Sequence, residues 1–285
     1  MSGGPQCDGQ KRLLSPQIRY SLRCTGMDGP RVAFSHRFKA CPGVVLIPPR
    51  PNFSDFSPEE KDLIRIAEKI YYPTPLYVDV FLTLGKKIFP SRETYVYSGD
   101  KIKQTVLFQL LRIPHPLTRF YFGRQKERIL AEFPFPFVAK IPRGSSMGEG
   151  VFLITNQTEL RHYEDRNPVA YIQEYLPLER DLRVVLINHQ VILAYWKKGR
   201  PGEFRHNVAQ GGELDFEGIP SEALHFAREV TRACNFNDVG LDLCHTAQDG
   251  WMVMEANMNY GRQGLVSRGF HLPEVYRSLV EKGFI

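Results

Sequence analysis

The sequence predicts a mixed α/β (α+β) protein, and three observations support this fold class. Short apolar segments typical of strands recur from residue 135 to residue 196, and two more lie at 239–247 and 251–258. Segments with one apolar face and with helix-start residues lie between and before them. Hydrophobic residues make up 42% of the 285 residues, which is enough material for a buried core.

Residues 31–97 are predicted to form a small α/β domain. Strands are expected at 31–34 and 43–47, and the apolar run LYVDVFL at 76–82 is predicted to be a buried strand. Residues 1–30 show no clear period. They are predicted to be an N-terminal extension, either disordered or packed on the surface.

One helix start in this domain is easy to recognise. Ser57 is a suitable N-cap, Pro58 suits the first helical position, and Glu60 completes a capping box. The apolar face of this helix is predicted to comprise Leu63, Ile64, Ala67 and Ile70.

Residues 98–285 are predicted to form a second, larger domain. It opens with a helix whose N-cap is Ser98 or Asp100. The elements after this helix are predicted to be a short helix at 124–133, strands at 135–141, 150–154, 169–175, 181–187 and 190–196, a helix at 221–234 capped by Ser221, strands at 239–247 and 251–258, and a helix at 272–283.

Composition limits the class of protein. The formal charge of +6 and the pI of about 9.0 favour anionic partners such as nucleotides, acidic substrates or nucleic acid. The positive residues are scattered, so a dedicated nucleic-acid-binding protein is not expected. The five cysteines include no CxxC pair, which argues against a disulfide framework and a structural zinc site. The sequence has no run of about 18 apolar residues and no signal-peptide core, so we expect no membrane partner and a cytoplasmic location.

A glycine-rich loop follows the strand that ends at Lys140. In KIPRGSSMGEGV, small residues let backbone N–H groups approach an anion, and Lys140 adds a positive charge. The loop is not a P-loop, because no GK[ST] and no helix follow it. A β-hairpin without a ligand explains the pattern equally well. The small residues are Gly144, Ser145, Ser146, Gly148 and Gly150.

Three oxygen-bearing side chains lie in the two apolar strands near the C-terminus. Glu255 and Asn257 are two residues apart, so they point to the same face, and Asp242 lies in the preceding strand. If the strands are antiparallel neighbours, these side chains converge as the hard oxygen ligands that Mg²⁺ prefers. The alternative is a solvated sheet face, which the surrounding apolar residues weaken.

Two further segments carry weaker signals. YIQEYLPLERDLRVV joins the end of one strand to the next, and it suits either an adenine-binding edge or an interdomain hinge. GEFRHNVAQGG places Arg205 and Asn207 two residues apart, where they could stabilise charge during phosphoryl transfer. A polar surface loop is the alternative for this second segment.

Taken in order, these segments resemble the ATP-grasp superfamily, and the nearest branch is the RimK-like α-L-glutamate ligases. The resemblance covers about residues 85–285 and implies an ATP-grasp fold for residues 98–285. Two α+β subdomains would clasp ATP, preceded by a short pre-ATP-grasp domain at 31–97. The motifs that carry the resemblance are DKIKQTVLFQLLRIPHP, FPFVAKIPRGSSMGEGV, YIQEYLP, DLRVV, FRHNVAQGG, GLDL and EANMNYG.

The resemblance also implies a role for each site residue. Lys101 and Lys140 match phosphate-binding lysines, and Gly144 to Gly150 match a mobile loop over the phosphates. Gln173, Glu174, Tyr175 and Leu176 match the segment against adenine, and Asp181 matches a ribose contact. Arg183, Arg205 and Asn207 fall on the reaction side, and Asp242, Glu255 and Asn257 match the ligands of one or two Mg²⁺ ions, which Mn²⁺ could replace.

The implied reaction joins a carboxylate to an amine through an acyl phosphate, with glutamate or another amino acid as the added amine. The acceptor is left open as an amino acid, a peptide or a protein tail, and so is the formation of a homo-oligomer. A small-molecule kinase on the same fold and a non-catalytic nucleotide-binding module remain alternatives. The chain departs from the family pattern in its short N-terminal domain and in EANMNYGRQGL, which replaces the usual small residues after the asparagine.

Overall fold

The computed structural model describes residues 29–144, 150–199 and 213–285. The described residues form two compact units. The terminal unit comprises the described residues up to Arg92 together with Leu265–Ile285, and the central unit comprises those from Glu93 to Gly264. The predicted domain borders after residues 30 and 97 stay predictions.

Helices and strands are numbered in chain order. The strands are β1 (Arg31–Ala33), β2 (Val44–Leu46), β3 (Lys69–Tyr71), β4 (Lys87–Phe89), β5 (Thr118–Phe122), β6 (Phe137–Lys140), β7 (Val151–Ile154), β8 (Val169–Glu174), β9 (Arg180–Ile187), β10 (Gln190–Lys198), β11 (Glu213–Asp215), β12 (Asp238–Thr246) and β13 (Gly250–Asn257). The α-helices are α1 (Pro58–Ile66), α2 (Pro75–Thr83), α3 (Arg92–Val96), α4 (Lys101–Leu110), α5 (Ile129–Glu132), α6 (Gln157–Arg166), α7 (Ser221–Cys234), α8 (Gln263–Ser267) and α9 (Leu272–Glu281). Short 3-10 helices lie at His36–Phe38, Phe53–Asp55 and Gly123–Arg128.

The terminal unit is built on a parallel sheet. Its strands lie in the order β2-β1-β3-β4, with α1 between β2 and β3 and α2 between β3 and β4 in the sequence. Apolar residues of β1, β3 and the two helices form one buried cluster. The C-terminal helix α9 belongs to the same unit, where the buried Tyr276 packs against Phe38 with ring centroids 5.0 Å apart.

The start of α1 is confirmed as predicted. Ser57 Oγ accepts a hydrogen bond from the backbone N–H of Glu60 at 3.2 Å, and the Glu60 carboxylate accepts one from the Ser57 N–H at 2.8 Å. The predicted apolar face is too long, however. The helix ends at Ile66, Ala67 has extended backbone, and Ile70 lies in β3.

The prediction of a buried strand at LYVDVFL is wrong, because these residues form α2. Pro75 at the start fixes a φ that suits the first helical turn. Tyr77, Val78 and Phe81 are buried at helical spacing, whereas Leu76 is 61% exposed. The run contains one polar residue, Asp79, among apolar ones, so its short pattern does not separate a buried helix from a strand.

The first sheet of the central unit is antiparallel, in the order β5-β8-β6-β7. Its predicted strands at 135–141, 150–154 and 169–175 are confirmed as β6, β7 and β8. The predicted helix at 124–133 is instead a 3-10 helix followed by the single turn α5. Tyr163 of α6 donates its hydroxyl hydrogen to the Lys140 carbonyl at 2.6 Å and accepts from the Tyr171 N–H at 3.0 Å, which ties β6 to β8.

The second sheet of the central unit has the order β11-β10-β9-β12-β13 and is also antiparallel. One face of β9 and β12 packs under α7 in a cluster that includes Leu182, Leu186, Leu241 and Leu243. Helix α7 begins at Ser221, but Pro220 is its N-cap and no side chain caps it, so the predicted Ser221 cap is wrong. Asp100 caps α4 by accepting from the Lys103 N–H, which decides between the two predicted caps, Ser98 and Asp100.

Two further predictions concern thiols and membrane spans. Cys41, Cys234 and Cys244 are buried free thiols, so the described cysteines form no disulfide. Within the described part of the chain, no helix has both the length and the apolar character needed to span a membrane.

Replacing Ser57 with alanine should lower the free energy of unfolding by about 1 kcal/mol, because the first turn of α1 loses its capping acceptor. Urea unfolding followed by circular dichroism would measure the change. Ser54→Ala is the matched control, since the Ser54 side chain is exposed just before the helix. Equal losses for both variants would contradict the capping role.

Candidate functional site

A row of polar side chains crosses four strands of the second central sheet, on the face opposite its apolar core. Asp242 of β12 lies directly opposite Arg183 of β9 on one side and Glu255 of β13 on the other. Tyr195 of β10 lies opposite Arg183 and extends the row. Residues directly opposite in an antiparallel sheet share a face, so these side chains meet.

Two register shifts make this row. Between β9 and β10 the pairing shifts by one residue at Ile192, and between β12 and β13 it shifts at Met254. A one-residue shift moves every later side chain to the other face. Without the second shift, the register of the β12–β13 turn would pair Asp242 with Met254 and turn Glu255 toward the core. The shift at Met254 therefore brings Asp242 and Glu255 together.

Asp242 is the centre of the hydrogen-bond network. Arg183 donates to it in a bidentate manner, from Nε to Oδ1 at 2.7 Å and from Nη2 to Oδ2 at 2.8 Å. Lys197 Nζ lies 2.8 Å from Oδ1, and Asn257 Nδ2 donates to Oδ2 at 3.0 Å. These contacts fill about four acceptor directions, which is the capacity of a carboxylate. Lys197 also contacts Asp181 Oδ2 at 2.7 Å.

The ion pairs of this network are buried. Asp242 is 8% exposed and Asp181 is 5% exposed. Burial alone would raise the pKa of Asp242, but Arg183 and Lys197 hold that pKa well below its usual range. Burial alone would lower the pKa of Lys197, yet Asp181 and Asp242 raise it overall. Asp242 and its cationic partners therefore stabilise one another in the charged form.

The two predicted phosphate-binding lysines lie beside the acidic residues. Lys101, at the start of α4, places its Nζ 3.1 Å from Glu255 Oε1. Lys140, at the end of β6, is 5% exposed, and burial lowers its pKa although Glu255 acts in the opposite direction. Lys101 lies close enough to lower this pKa further. An ammonium that is short of solvent and of counter-charge favours an anionic ligand.

The charge balance of the site points the same way. The described side chains named above include three carboxylates (Asp181, Asp242 and Glu255) and four cations (Lys101, Lys140, Arg183 and Lys197), which leaves a net charge of +1. Buried cations in excess are expensive without an anion.

The glycine-rich loop joins β6 to β7, and only its ends lie within the described residues. Gly144 and Gly150 have φ of +72° and +77°, and a side chain at Gly150 would lie 2.9 Å from Ile141. Before the loop, Arg143 Nε donates to Asp100 at 2.8 Å and so links the loop to the N-terminus of α4. Ser145, Ser146 and Gly148 lie outside the described residues.

The predicted adenine segment comprises the last two residues of β8 and the two residues after it. Gln173 is buried and donates to Thr118 Oγ1 at 2.9 Å, while Glu174 accepts from the Leu117 N–H at 2.5 Å. The strand ends at Glu174, so Tyr175 and Leu176 lie in the linker that leads to β9, and both are half-buried. Thus the two side chains that end the strand have partners in and beside β5.

Some predicted residues are not placed, and some placed residues were not predicted. Arg205 and Asn207 lie outside the described residues. Lys197 and Tyr195 were not predicted, and they lie on the same face of β10 as the row. Their alternation in QVILAYWKK was a usable signal, but the register shift that sets them opposite Asp181 and Arg183 was not visible. Gln104 of α4 was also missed.

The residue types of the predicted metal set suit a hard divalent cation, but the acceptor directions of Asp242 are already filled by Arg183, Lys197 and Asn257. Asp242, Glu255 and Asn257 supply carboxylate and amide oxygens, the ligand type of Mg²⁺. Asn257 uses its nitrogen toward Asp242, so its oxygen points elsewhere. Within the described residues, no group of three or more His, Cys, Asp and Glu side chains could hold a metal ion.

Comparison with known proteins supports the family that the sequence motifs resemble. The family model of the RimK-like ATP-grasp domain matches residues 98–270, more than half of the chain. A probable alpha-L-glutamate ligase from Alkalilimnicola ehrlichii is 28% identical over 187 residues, which cover 62% of this chain and 62% of that protein. The match thus spans less than two thirds of that relative.

Solved structures share the fold at low sequence identity. The RimK domain protein ATP-grasp from Sphaerobacter thermophilus has a TM-score of 0.63 at 15% identity, covering 87% of this chain and 98% of that one. The ATP-grasp ligase PsnB in complex with a minimal precursor, Mg and ADP has a TM-score of 0.63 at 13% identity, covering 88% and 97%. These likenesses confirm the predicted ATP-grasp fold, and with the match over residues 98–270 the chain belongs to the RimK-like ATP-grasp family.

Proposed function

We propose that this chain is an ATP- and Mg²⁺-dependent carboxylate–amine ligase. A substrate carboxylate oxygen attacks the γ-phosphorus of ATP, ADP leaves, and an acyl phosphate forms. An amine nitrogen then attacks the acyl carbon, inorganic phosphate leaves, and the nitrogen loses a proton as the amide forms. The first step needs charge stabilisation and positioning more than acid–base catalysis.

The observation that carries this proposal is the meeting of two buried lysines with acidic side chains. Lys101 contacts Glu255, and the charges of Glu255 and Asp242 act on Lys140. A nucleotide triphosphate with its metal needs cations for the phosphate oxygens and oxygen ligands for the metal. Both sets of groups lie together here.

The chain's own residues have distinct proposed tasks. Lys101 and Lys140 bind phosphate oxygens under the loop from Gly144 to Gly150. Gln173, Glu174, Tyr175 and Leu176 bind along adenine, and Asp181 binds the ribose. On the reaction side, Arg183, Arg205 and Asn207 offset the charge of the transferring phosphoryl group.

Asp242, Glu255 and Asn257 would hold Mg²⁺, and Mn²⁺ has the same ligand preference. The bound ion would supply positive charge to the phosphate oxygens. Because Arg183 and Lys197 already occupy Asp242, we expect them to turn toward the phosphates when the carboxylate is needed for the metal. Arg183 and Lys197 would therefore contact Asp242 in the free protein and the phosphates in the nucleotide complex.

The substrates follow from the relatives and are proposed here. One relative is named a glutamate ligase, so glutamate is the first amine to test. PsnB was solved with a precursor peptide and AMPPNP, so a peptide or protein tail is the first acceptor class to test. The predicted cytoplasmic location and the open question of a homo-oligomer stay with this proposal.

Turnover should require both a carboxylate and an amine. We expect ADP release above background only when an acidic acceptor is combined with glutamate or another amino acid, and mass analysis should find an amide. A stable phosphoester formed without an amine would instead identify a kinase. Background ADP release with every pair tried would favour a non-catalytic nucleotide-binding module.

Replacing Glu255 with glutamine should lower Mg²⁺-dependent ATP turnover by about 100-fold or more, because the metal loses a charged ligand. The fold should remain intact, which circular dichroism and urea unfolding would check. Glu229→Gln is the control, since Glu229 pairs with Arg232 on the exposed face of α7. Wild-type turnover in Glu255→Gln would remove the metal assignment.

Replacing Lys140 with methionine should raise the free energy of unfolding and weaken ATP binding. Its folded-state pKa is below the unfolded value, so at neutral pH the buried charge opposes folding, and methionine removes this cost. Loss of one phosphate contact should reduce ATP affinity about tenfold or more. Urea unfolding and titration calorimetry would measure both effects, with the exposed Lys103→Met on α4 as control. A variant that is less stable and binds ATP normally would refute this role.

A further inference from the structure

Strand β13 is an edge strand of its sheet, and a side chain of α4 covers the edge. The Gln104 amide donates from Nε2 to the Ala256 carbonyl at 2.8 Å, and its Oε1 accepts from the Ala256 N–H at 3.1 Å. One side chain therefore satisfies both backbone groups of Ala256, as a neighbouring strand would.

The remaining amide hydrogen of Gln104 is also used. Nε2 donates to the Tyr97 carbonyl at 2.9 Å, and the side chain is 3% exposed. Both amide hydrogens and the oxygen have partners, so the orientation of the amide is fixed by its surroundings. A side chain of the same size without these groups would leave buried backbone atoms unpaired.

The contact between Gln104 and Ala256 lies directly beside the predicted site residues. Ala256 lies between Glu255 and Asn257, and Gln104 lies one helical turn after Lys101, which reaches Glu255 at 3.1 Å. Any slide or rotation of α4 along the β13 edge would change that distance. Gln104 therefore fixes the position of Lys101 relative to Glu255 and Asn257.

The next residue of α4 contacts the other sheet. The hydroxyls of Thr105 and Tyr171 lie 2.7 Å apart, and Tyr171 is directly opposite Lys140 in the first central sheet. Helix α4 is thus attached both to β13, which carries Glu255 and Asn257, and to β8, which lies beside the strand of Lys140. Gln104 makes the attachment to β13.

We propose that Gln104 is a positioning residue for nucleotide and Mg²⁺ binding, acting through Lys101, Glu255 and Asn257. The proposal rests on the proposed function, because it assumes that these three residues bind the phosphates and the metal. Gln104 itself touches neither ligand, and its effect is on the distance between groups that do.

The test measures binding of a non-hydrolysable ATP analogue with Mg²⁺ by titration calorimetry. Gln104→Leu should weaken binding about tenfold or more, as is usual when a partner that orients ligands is lost. Gln109→Leu, at an exposed position of the same helix, is the matched control and should bind like the wild type.

Gln104→Glu separates positioning from general damage. An ionised carboxylate would face the carbonyls of Ala256 and Tyr97 without a hydrogen to donate, whereas the protonated acid can again donate to one of them and accept from the Ala256 N–H. Burial raises the pKa of such a carboxyl above its usual value of about 4.3. The affinity of Gln104→Glu relative to the wild type should therefore rise as the pH falls from about 8 to about 6, while that of Gln104→Leu should not change.

Wild-type affinity in a folded Gln104→Leu variant, or a Gln104→Glu ratio that is independent of pH, would overturn the proposal. Failure of the wild type to bind the analogue is a different result, because it would refute the proposed nucleotide site itself and the role of Gln104 with it. If Gln104→Leu does not fold, the pH dependence of Gln104→Glu alone decides.

Discussion

The carboxylate of Asp242 is the contact on which the charged face of the central unit depends. It accepts hydrogen bonds from Arg183, Lys197 and Asn257, and so joins strands β9, β10, β12 and β13 on that face. An isolated carboxylate would not stay ionised at this depth, because burial raises its pKa. Its partners reverse that effect, and in return their own positions are fixed by Asp242.

A buried network of this kind is a weak source of stability, because the desolvation of each charge offsets much of the attraction. The apolar face of the same sheet, with Leu182 and Leu241 under α7, supplies the burial that stabilises the fold. The two faces of the sheet thus have different roles. The apolar face stabilises the fold, and under the proposed function the charged face supplies cations and oxygen ligands to an Mg²⁺–nucleotide complex.

Helix α4 connects this face to the rest of the site. Its first residue is Lys101, its N-cap Asp100 bonds to Arg143 before the glycine-rich loop, and Gln104 covers the edge of β13. Asp100, Lys101 and Gln104 lie within two helical turns, and they connect α4 to the start of the loop, to Glu255 and to the edge of β13.

The sequence by itself determined the elements whose signals are local. The capping box of Ser57 and Glu60 and the separation of Glu255 from Asn257 need only neighbouring residues, and the order of motifs identified the family. Tertiary structure decided the helix at residues 75–83 and the face on which Lys197 and Glu255 lie. A short, mostly apolar run does not separate a helix from a strand, and a register shift leaves no local mark. Both depend on which surfaces pack together, and that is fixed only when distant parts of the chain meet.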